Sequence, residues 1–134
     1  MSEATGLDLV LDRTPLVVAR LMADAEVPAW ASGAAFTSVT RTADELSIVA
    51  PSQVVPPGVR AEGPFAAFRV AGTLAFGLVG IVESLARPLA AAGIPIFVIS
   101  TFDTDWVLVP VARADDAAVA LAAAGHVVAR SDLR

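Results

Sequence analysis

Hydrophobic residues along the chain fall into short runs, separated by turns rich in proline, glycine and polar side chains. Many runs alternate or are rich in β-branched residues, which favours strands over helices. Pro51 ends the last run before a proline-rich linker at 52–63, and a segment around Trp30 can hold one helical turn at most. The predicted strands of the first half, with turns at 13–15 and 42–45, are 7–12, 16–21, 36–41 and 46–50.

The second half begins with a predicted strand at 65–71, followed by a glycine-rich loop. After the loop, apolar residues recur at the spacing of an amphipathic helix. Pro88 lies within this helix and should kink or break it, and Gly93 should end it. The residues of the apolar stripe are Leu78, Ile81, Val82, Leu85 and Leu89.

The remaining elements are two strands, an alanine-rich helix and a last strand. Residues 94–100 are apolar on both faces, so we expect a central strand, with 106–109 as its antiparallel neighbour. Asp115 or Asp116 is expected to cap the helix at 117–124, and residues 126–129 form the last strand. The order from residue 65 is βαββαβ, which predicts an α+β, ferredoxin-like sheet with two helices on one face.

An internal repeat relates the two halves. Pro15–Leu21 resembles Pro64–Val70 at an offset of 49 residues, and Thr42–Pro51 resembles Thr101–Pro110 at an offset of 59. The first half therefore reads as a reduced, mostly β copy of the second, in which one helix has shrunk to a turn. The predicted domains are 1–60, with the proline linker, and 61–134.

Composition narrows the possible functions. Hydrophobic residues make up 56% of the chain, but no apolar run reaches the roughly 18 residues of a membrane-spanning helix. The net charge is −5 and the nine basic residues are scattered, so a nucleic-acid partner is disfavoured. Cysteine is absent and the N-terminus does not resemble a secretory signal. We expect a cytoplasmic protein with much apolar surface in its core or in a subunit interface.

Two polar segments are the candidates for a binding site. A glycine-rich loop at 72–80 enters the first helix, and a polar turn at 100–106 connects two apolar strands. If they face each other, the helix amides of residues 78–80 could hold a carboxylate, and Asp103 or Asp105 could hold an ammonium group. The simpler alternatives are that the glycines only form a tight turn and that the aspartates only form a β-turn.

The sequence offers no support for catalysis. Ser84 and Ser100 have no evident base partner, and His126, the only histidine, is expected to be a solvated residue at a strand start. With one histidine and no cysteine, a metal site is not expected. We therefore expect neither an enzyme nor a cofactor.

Three stretches of the second half resemble a known family: 80–85, 89–97 and 100–109. They are similar to the ACT-domain branch shared by small bacterial tandem-ACT proteins and the CASTOR-type arginine sensors. The resemblance implies allosteric binding of an amino acid or a similar small effector where ACT units meet. We also expect the protein to be a homodimer. The loop has Phe76-Gly77-Leu78 where an acidic or polar residue is expected, which favours either a less polar effector than arginine or no effector. The ligand-binding residues that the resemblance implies are Gly77, Leu78, Val79, Gly80, Thr101, Phe102, Asp105, Ser47 and Ile48.

These observations lead to one main hypothesis and two alternatives. The main hypothesis is a non-catalytic regulatory module that binds a small effector, an amino acid above all, with no nucleic-acid or membrane partner. The first alternative is a structural or protein-interaction module without a small-molecule ligand. The second is a small enzyme of the dimeric α+β barrel kind, which ranks last because the predicted sheet offers almost no titratable side chains.

Overall fold

The computed structural model describes residues 6–72, 74, 75 and 77–130. The chain divides into a larger unit, Met1–Arg13 with Ala66–Arg134, and a smaller unit, Thr14–Phe65. Residues 6–13 lie with the larger unit. The strands are β1 (Asp8–Leu21), β2 (Ser38–Arg41), β3 (Leu46–Pro51), β4 (Ala61–Val70), β5 (Phe97–Ser100), β6 (Asp105–Pro110) and β7 (Val127–Arg130). The helices are α1 (Ile81–Ala91) and α2 (Ala114–Ala123), with 3-10 turns at Ala29–Ala31, Ser52–Val54 and Val111–Arg113.

The larger unit has the predicted α+β, ferredoxin-like ACT fold, with the order β4-α1-β5-β6-α2-β7. Its strands follow one another across the sheet as β7, β1, β4, β6 and β5. The N-terminal strand β1 thus lies between β7 and β4, and it pairs in parallel with β7 from Asp8 to Leu11. The prediction that β5 is central was wrong: β5 is the last strand on its side of this order, beside β6. Its apolar pattern misled because Ile96 and Val98 pack on the core while Phe97 is 37% exposed.

The core of the larger unit lies between the helices and the sheet. In α1, the stripe at Ile81, Leu85 and Leu89 is buried as the helical spacing predicts. Each such side chain contributes about 1.5–3 kcal/mol when it leaves water. Helix α2 contributes small residues and Leu121, so it can lie close to its neighbours. The buried members of this core from strands are Leu9, Leu11, Ala66, Phe68, Val70, Val107 and Val109.

The start of α2 differs from the prediction. The residue at the N-cap position is Arg113, and neither Asp115 nor Asp116 caps the helix, because both lie within its first turn. There they still stabilise the helix, because their negative charge is attracted by the partial positive charge at the helix N-terminus. Arg13 donates a hydrogen bond to the Asp115 carboxylate. That bond, with the positive charge of Arg13, lowers the pKa of Asp115 below its usual value.

The smaller unit is mostly β, with strand order β2, β3, β1, β4. Its core consists of Ala31, Leu46, Ile48 and Ala50, against which Trp30 packs. The predicted turn at 13–15 was wrong, because β1 runs without a break from Asp8 to Leu21. Its pairing with β7 ends at residue 11 and its pairing with β3 begins at residue 16. Pro15 therefore falls between the two ladders, where its missing N–H is tolerated.

The geometry of the two hairpins agrees with the internal repeat. Hairpin β2–β3 has the same bounds and register as β5–β6 at an offset of 59 residues. The connecting turns match as well, since the Thr42 N–H donates to the Glu45 carbonyl at 2.9 Å and the Thr101 N–H donates to the Thr104 carbonyl at 2.8 Å. Both hairpins end in a proline with φ near −55° and ψ of 137°, followed by a 3-10 turn.

Candidate functional site

A hollow of about 410 Å³ lies in the larger unit between the glycine-rich loop and the polar turn. The structure thus brings together the two segments that the sequence singled out. Residues from the loop, from the first turn of α1 and from the β5–β6 turn contribute to its wall. They are Leu74, Ala75, Leu78, Gly80, Ile81, Val82, Glu83, Ser100, Thr101, Phe102, Asp103, Thr104 and Asp105.

Hydrogen bonds fix the turn against the loop and against the end of β4. The Leu74 N–H donates to the Asp103 carbonyl at 2.8 Å, which joins the two walls of the hollow. The Thr104 hydroxyl donates to the Val70 carbonyl at 2.8 Å, and Thr104 is only 9% exposed. Because a buried hydroxyl must be paired, this bond fixes where the turn lies relative to β4. The hollow is therefore built on the strand ends rather than on the loop alone.

The amide groups nearest the hollow are those that begin α1, three residues later than predicted. Gly80 has φ +84° and is the N-cap residue, so the helix begins at Ile81. The Leu78 N–H is already bonded to the Ala75 carbonyl at 3.0 Å. The first-turn amides of a helix have no acceptor within it, and here those are the amides of residues 81–83. They are the donors that could hold an anionic group, since the N-terminus of a helix carries partial positive charge.

The opposite wall carries acidic side chains. Asp103 and Asp105 belong to the turn, and Asp105 pairs with Ser100 at the base of the β5–β6 hairpin. Glu83 also lines the hollow, but its carboxylate accepts a 2.8 Å hydrogen bond from Arg87 Nε one turn later. This ion pair offsets the charge of Glu83 near the helix amides. Residues of the first turn of α1 and two aspartates of the polar turn therefore line the same hollow.

Thr101 and Phe102 have different roles in the turn. The Thr101 hydroxyl donates to the Thr104 carbonyl at 3.1 Å and accepts from the Thr104 N–H at 3.3 Å. Its polar groups are therefore engaged in holding the turn. Phe102 is 83% exposed at the tip of the turn.

The remaining predicted residues do not line the hollow. Gly77 and Val79 belong to the loop, but the wall passes through Leu78 and Gly80 on either side of Val79. Ser47 and Ile48 lie on β3 of the smaller unit. The side chain of Ile48 is fully buried in the core of that unit, and Ser47 lines a separate hollow of about 170 Å³ there.

His126 is the residue that the sequence interpretation placed wrongly. It is 5% exposed rather than solvated. Its Nδ1 accepts a 3.0 Å hydrogen bond from the Leu7 N–H, so the proton lies on Nε2, which is 3.0 Å from the Ser84 carbonyl. The signal that could have revealed it is Pro88, because a proline in α1 leaves the carbonyl four residues earlier, that of Ser84, without its helical donor.

The described part of the chain has neither a metal-binding cluster nor a membrane-spanning helix. No group of three or more His, Cys, Asp or Glu side chains in that part of the chain is arranged to hold a metal ion. No helix there is long and apolar enough to cross a membrane.

Comparisons with known proteins place the two halves in separate family models. Residues 60–123 match the ACT domain model, and residues 16–57 match a model that describes an N-terminal domain. A search of the curated proteins finds no match.

Among solved structures, protein Atu0741 from Agobacterium tumefaciens is 40% identical, with 98% of each chain covered and a TM-score of 0.91. VC0802 from Vibrio cholerae, described as of unknown function and a possible transport protein, is 20% identical over 90% of this chain and 91% of its own, with a TM-score of 0.70. The regulatory subunit of aspartate kinase from Thermus flavus is 14% identical over 90% of this chain and 99% of its own, with a TM-score of 0.58. The last two likenesses concern the fold alone.

Proposed function

Because this chain belongs to the same family as Atu0741 of Agobacterium tumefaciens and carries an ACT domain at residues 60–123, we propose that it is a non-catalytic regulatory module that binds an amino acid. The observation that carries the proposal is the hollow of about 410 Å³ between the start of α1 and the β5–β6 turn. The fold it shares with an aspartate kinase regulatory subunit supports a regulatory role. The sequence resemblance to CASTOR-type sensors supports an amino acid as the effector.

The chemistry of the hollow suits a zwitterion. An amino acid carries a carboxylate, to which the first-turn amides of α1 would donate hydrogen bonds, and an ammonium group, which Asp103 or Asp105 would hold. Between these ends the wall is apolar at Leu74, Leu78 and Ile81. This arrangement favours an effector whose side chain is largely apolar. Glu83 would repel an unpaired carboxylate, so its ion pair with Arg87 is part of the proposed site.

A thermal-shift screen of the twenty amino acids tests the proposal. A ligand at a hundred times its dissociation constant adds about 2.7 kcal/mol to the stability of the folded state. For a chain of this size, that raises the Tm by about 8–13 °C. Asp105→Asn should reduce the shift, whereas Asp24→Asn, which removes an acidic side chain of the smaller unit, should leave it unchanged. A flat response to all twenty at millimolar concentration would refute the amino-acid proposal.

Exposed apolar side chains favour a second candidate function, a protein-interaction module. Phe102 is 83% exposed, Val79 is 48% exposed and Val82 is 38% exposed, all on or next to the wall of the hollow. Exposed apolar groups of this kind are typical of contact surfaces. This candidate predicts a stable complex with another protein and no response to amino acids, and Phe102→Ala should weaken that complex.

We also propose that the protein is a cytoplasmic homodimer, with neither nucleic acid nor membrane as a partner. The same exposed apolar side chains support self-association, and the net charge of −5 disfavours binding to the phosphate backbone. Light scattering after size-exclusion chromatography measures the mass directly. A monomer of 13.7 kDa at micromolar concentration would contradict the homodimer.

A further inference from the structure

The repeat allows the hollow to be compared with the corresponding place in the smaller unit. Hairpin β5–β6 corresponds to β2–β3 at an offset of 59, so Ser100 corresponds to Arg41. The strand before the loop corresponds at an offset of 49, so Val70 at its end corresponds to Leu21. Each unit therefore has a threonine turn and a loop that leaves the preceding strand.

The strand before the loop ends beside the turn in both units. In the smaller unit Leu21, the last residue of β1, pairs with Leu46, which directly follows the turn. In the larger unit the Val70 carbonyl, at the end of β4, accepts a hydrogen bond from Thr104 of the turn. In each unit, the end of the preceding strand therefore lies beside the threonine turn.

What differs is the residue at the end of the first hairpin strand. Arg41 reaches from β2 to the loop, where its Nη1 donates to the Ala23 carbonyl and its Nη2 donates to the Ala25 carbonyl at 2.8 Å. A guanidinium group suits this task because its donors form a rigid fork. At the equivalent position of the larger unit the side chain is that of Ser100, which lines the hollow and is too short to reach a loop in this way.

From this comparison we propose that the Arg41 side chain fills the place in the smaller unit that corresponds to the hollow of the larger unit. The chain then carries one open site, in the larger unit, and one site closed by its own side chain. This inference rests on the proposed function, because it assumes that the open hollow binds an effector. The role of Arg41 can be tested without any natural effector. The inference predicts that one effector binds per chain, and that Arg41 blocks the corresponding place in the smaller unit to a free guanidinium group.

The test removes the Arg41 side chain by mutation and adds a small guanidinium compound that can take its place. Arg41→Ser gives the smaller unit the residue that stands at position 100 in the larger one. The probe is n-propylguanidinium chloride at about 1–20 mM. It has the charge and the forked donors of the end of an arginine side chain. When the probe is present at its dissociation constant, we expect the Tm of the variant to rise by about 1–2 °C more than the Tm of the wild type. n-Propylammonium chloride, which has the charge but not the fork, should do less.

An equal response of variant and wild type to n-propylguanidinium would overturn the proposal. Should Arg41→Ser fail to fold by circular dichroism, Arg41→Ala, which leaves the same space for the probe, takes its place in the same measurement. Arg60→Ser, which removes an arginine of the smaller unit outside these bonds, is the matched control and should show no extra response.

The reciprocal variant connects the result to the open site. Ser100→Arg should place a guanidinium in the hollow of the larger unit and abolish the thermal shift that an amino acid produces in the wild type. A retained shift would contradict the correspondence of the two places. If no amino acid shifts the wild type, the proposed function fails, while the n-propylguanidinium comparison still decides the role of Arg41.

Discussion

The buried contact between His126 and α1 yields a quantitative prediction, because it compensates for a proline inside a helix. Pro88 has no N–H, so the Ser84 carbonyl cannot receive the usual helical hydrogen bond. The His126 Nε2 lies 3.0 Å from that carbonyl, and its Nδ1 accepts from the Leu7 N–H. The imidazole therefore supplies a donor that the helix lacks and an acceptor that the N-terminal segment needs.

Replacing His126 by alanine should leave both backbone groups unpaired. An unsatisfied donor or acceptor costs about 1–3 kcal/mol when it is buried, and both groups here are partly buried. We expect a loss of about 2–4 kcal/mol in the free energy of unfolding. For a chain of 134 residues, each kcal/mol corresponds to about 3–5 °C in Tm.

The specific claim is that the cost depends on Pro88. In Pro88→Ala the new N–H can donate to the Ser84 carbonyl, so that group no longer needs His126. The loss caused by His126→Ala should then be smaller in the Pro88→Ala background by about 1 kcal/mol or more. Urea unfolding of the wild type, both single variants and the double variant, followed by circular dichroism, gives this coupling energy.

Val128→Ala is the matched control, because it truncates another side chain of β7 that packs on the same core. Its cost should add to that of Pro88→Ala without coupling, as is usual for sites that share no partner. Equal costs of His126→Ala in the two backgrounds, within about 0.3 kcal/mol, would refute the reasoning. Equal costs would mean that the His126 imidazole does not stabilise the protein through the Ser84 carbonyl.

Three further predictions concern single positions. Gly63→Ala should destabilise by about 1–3 kcal/mol in urea unfolding, because Gly63 has φ +133° and a Cβ would lie 2.9 Å from the Leu16 carbonyl oxygen. Thr104→Val, which keeps the shape but loses the hydroxyl bond to the end of β4, should cost about 1–2 kcal/mol. Asp115→Asn should lower the Tm at pH 7. Since Arg13 lowers the pKa of Asp115 in the folded state, the stabilisation exists above the unfolded-state pKa of about 3.9. It should vanish as the pH falls through the lower folded-state value, which a Tm series from pH 2 to 7 measures.

The sequence predicted the order of elements well where hydrophobic spacing decides the structure. The stripe in α1 is buried at Ile81, Leu85 and Leu89, and the βαββαβ order holds because each element has its own apolar face. The position of β5 could not be predicted in this way. The apolar pattern of a strand indicates how many of its faces are buried, but not how many strands pair with it. The pairing depends on the position of β1 in the sheet, between β7 and β4.

The errors at single residues have a common physical cause. The local pattern predicts a turn at Pro15 and a solvated His126, yet Pro15 lies within β1 and His126 is buried. In both cases a partner distant in sequence decides the outcome: the ladders of β1 with two other strands for Pro15, and the carbonyl freed by Pro88 for His126. Local pattern carries no information on such partners, although a proline inside a helix at least indicates that one is needed.

The site illustrates how far a repeat extends what a sequence can predict. The two turns were recognisable from their threonines, and the backbone bonds of Thr42 and Thr101 agree. The repeat also shows that a hollow is not a property of the turn, since only the larger unit combines the turn with a helix start at Gly80 and a short side chain at Ser100. The smaller unit has a 3-10 turn instead of the helix, and Arg41 bonded to the loop. The site that we propose therefore depends both on the donors that a helix start provides and on the absence of a side chain that reaches across, and position 100 meets the second condition because it holds a short residue.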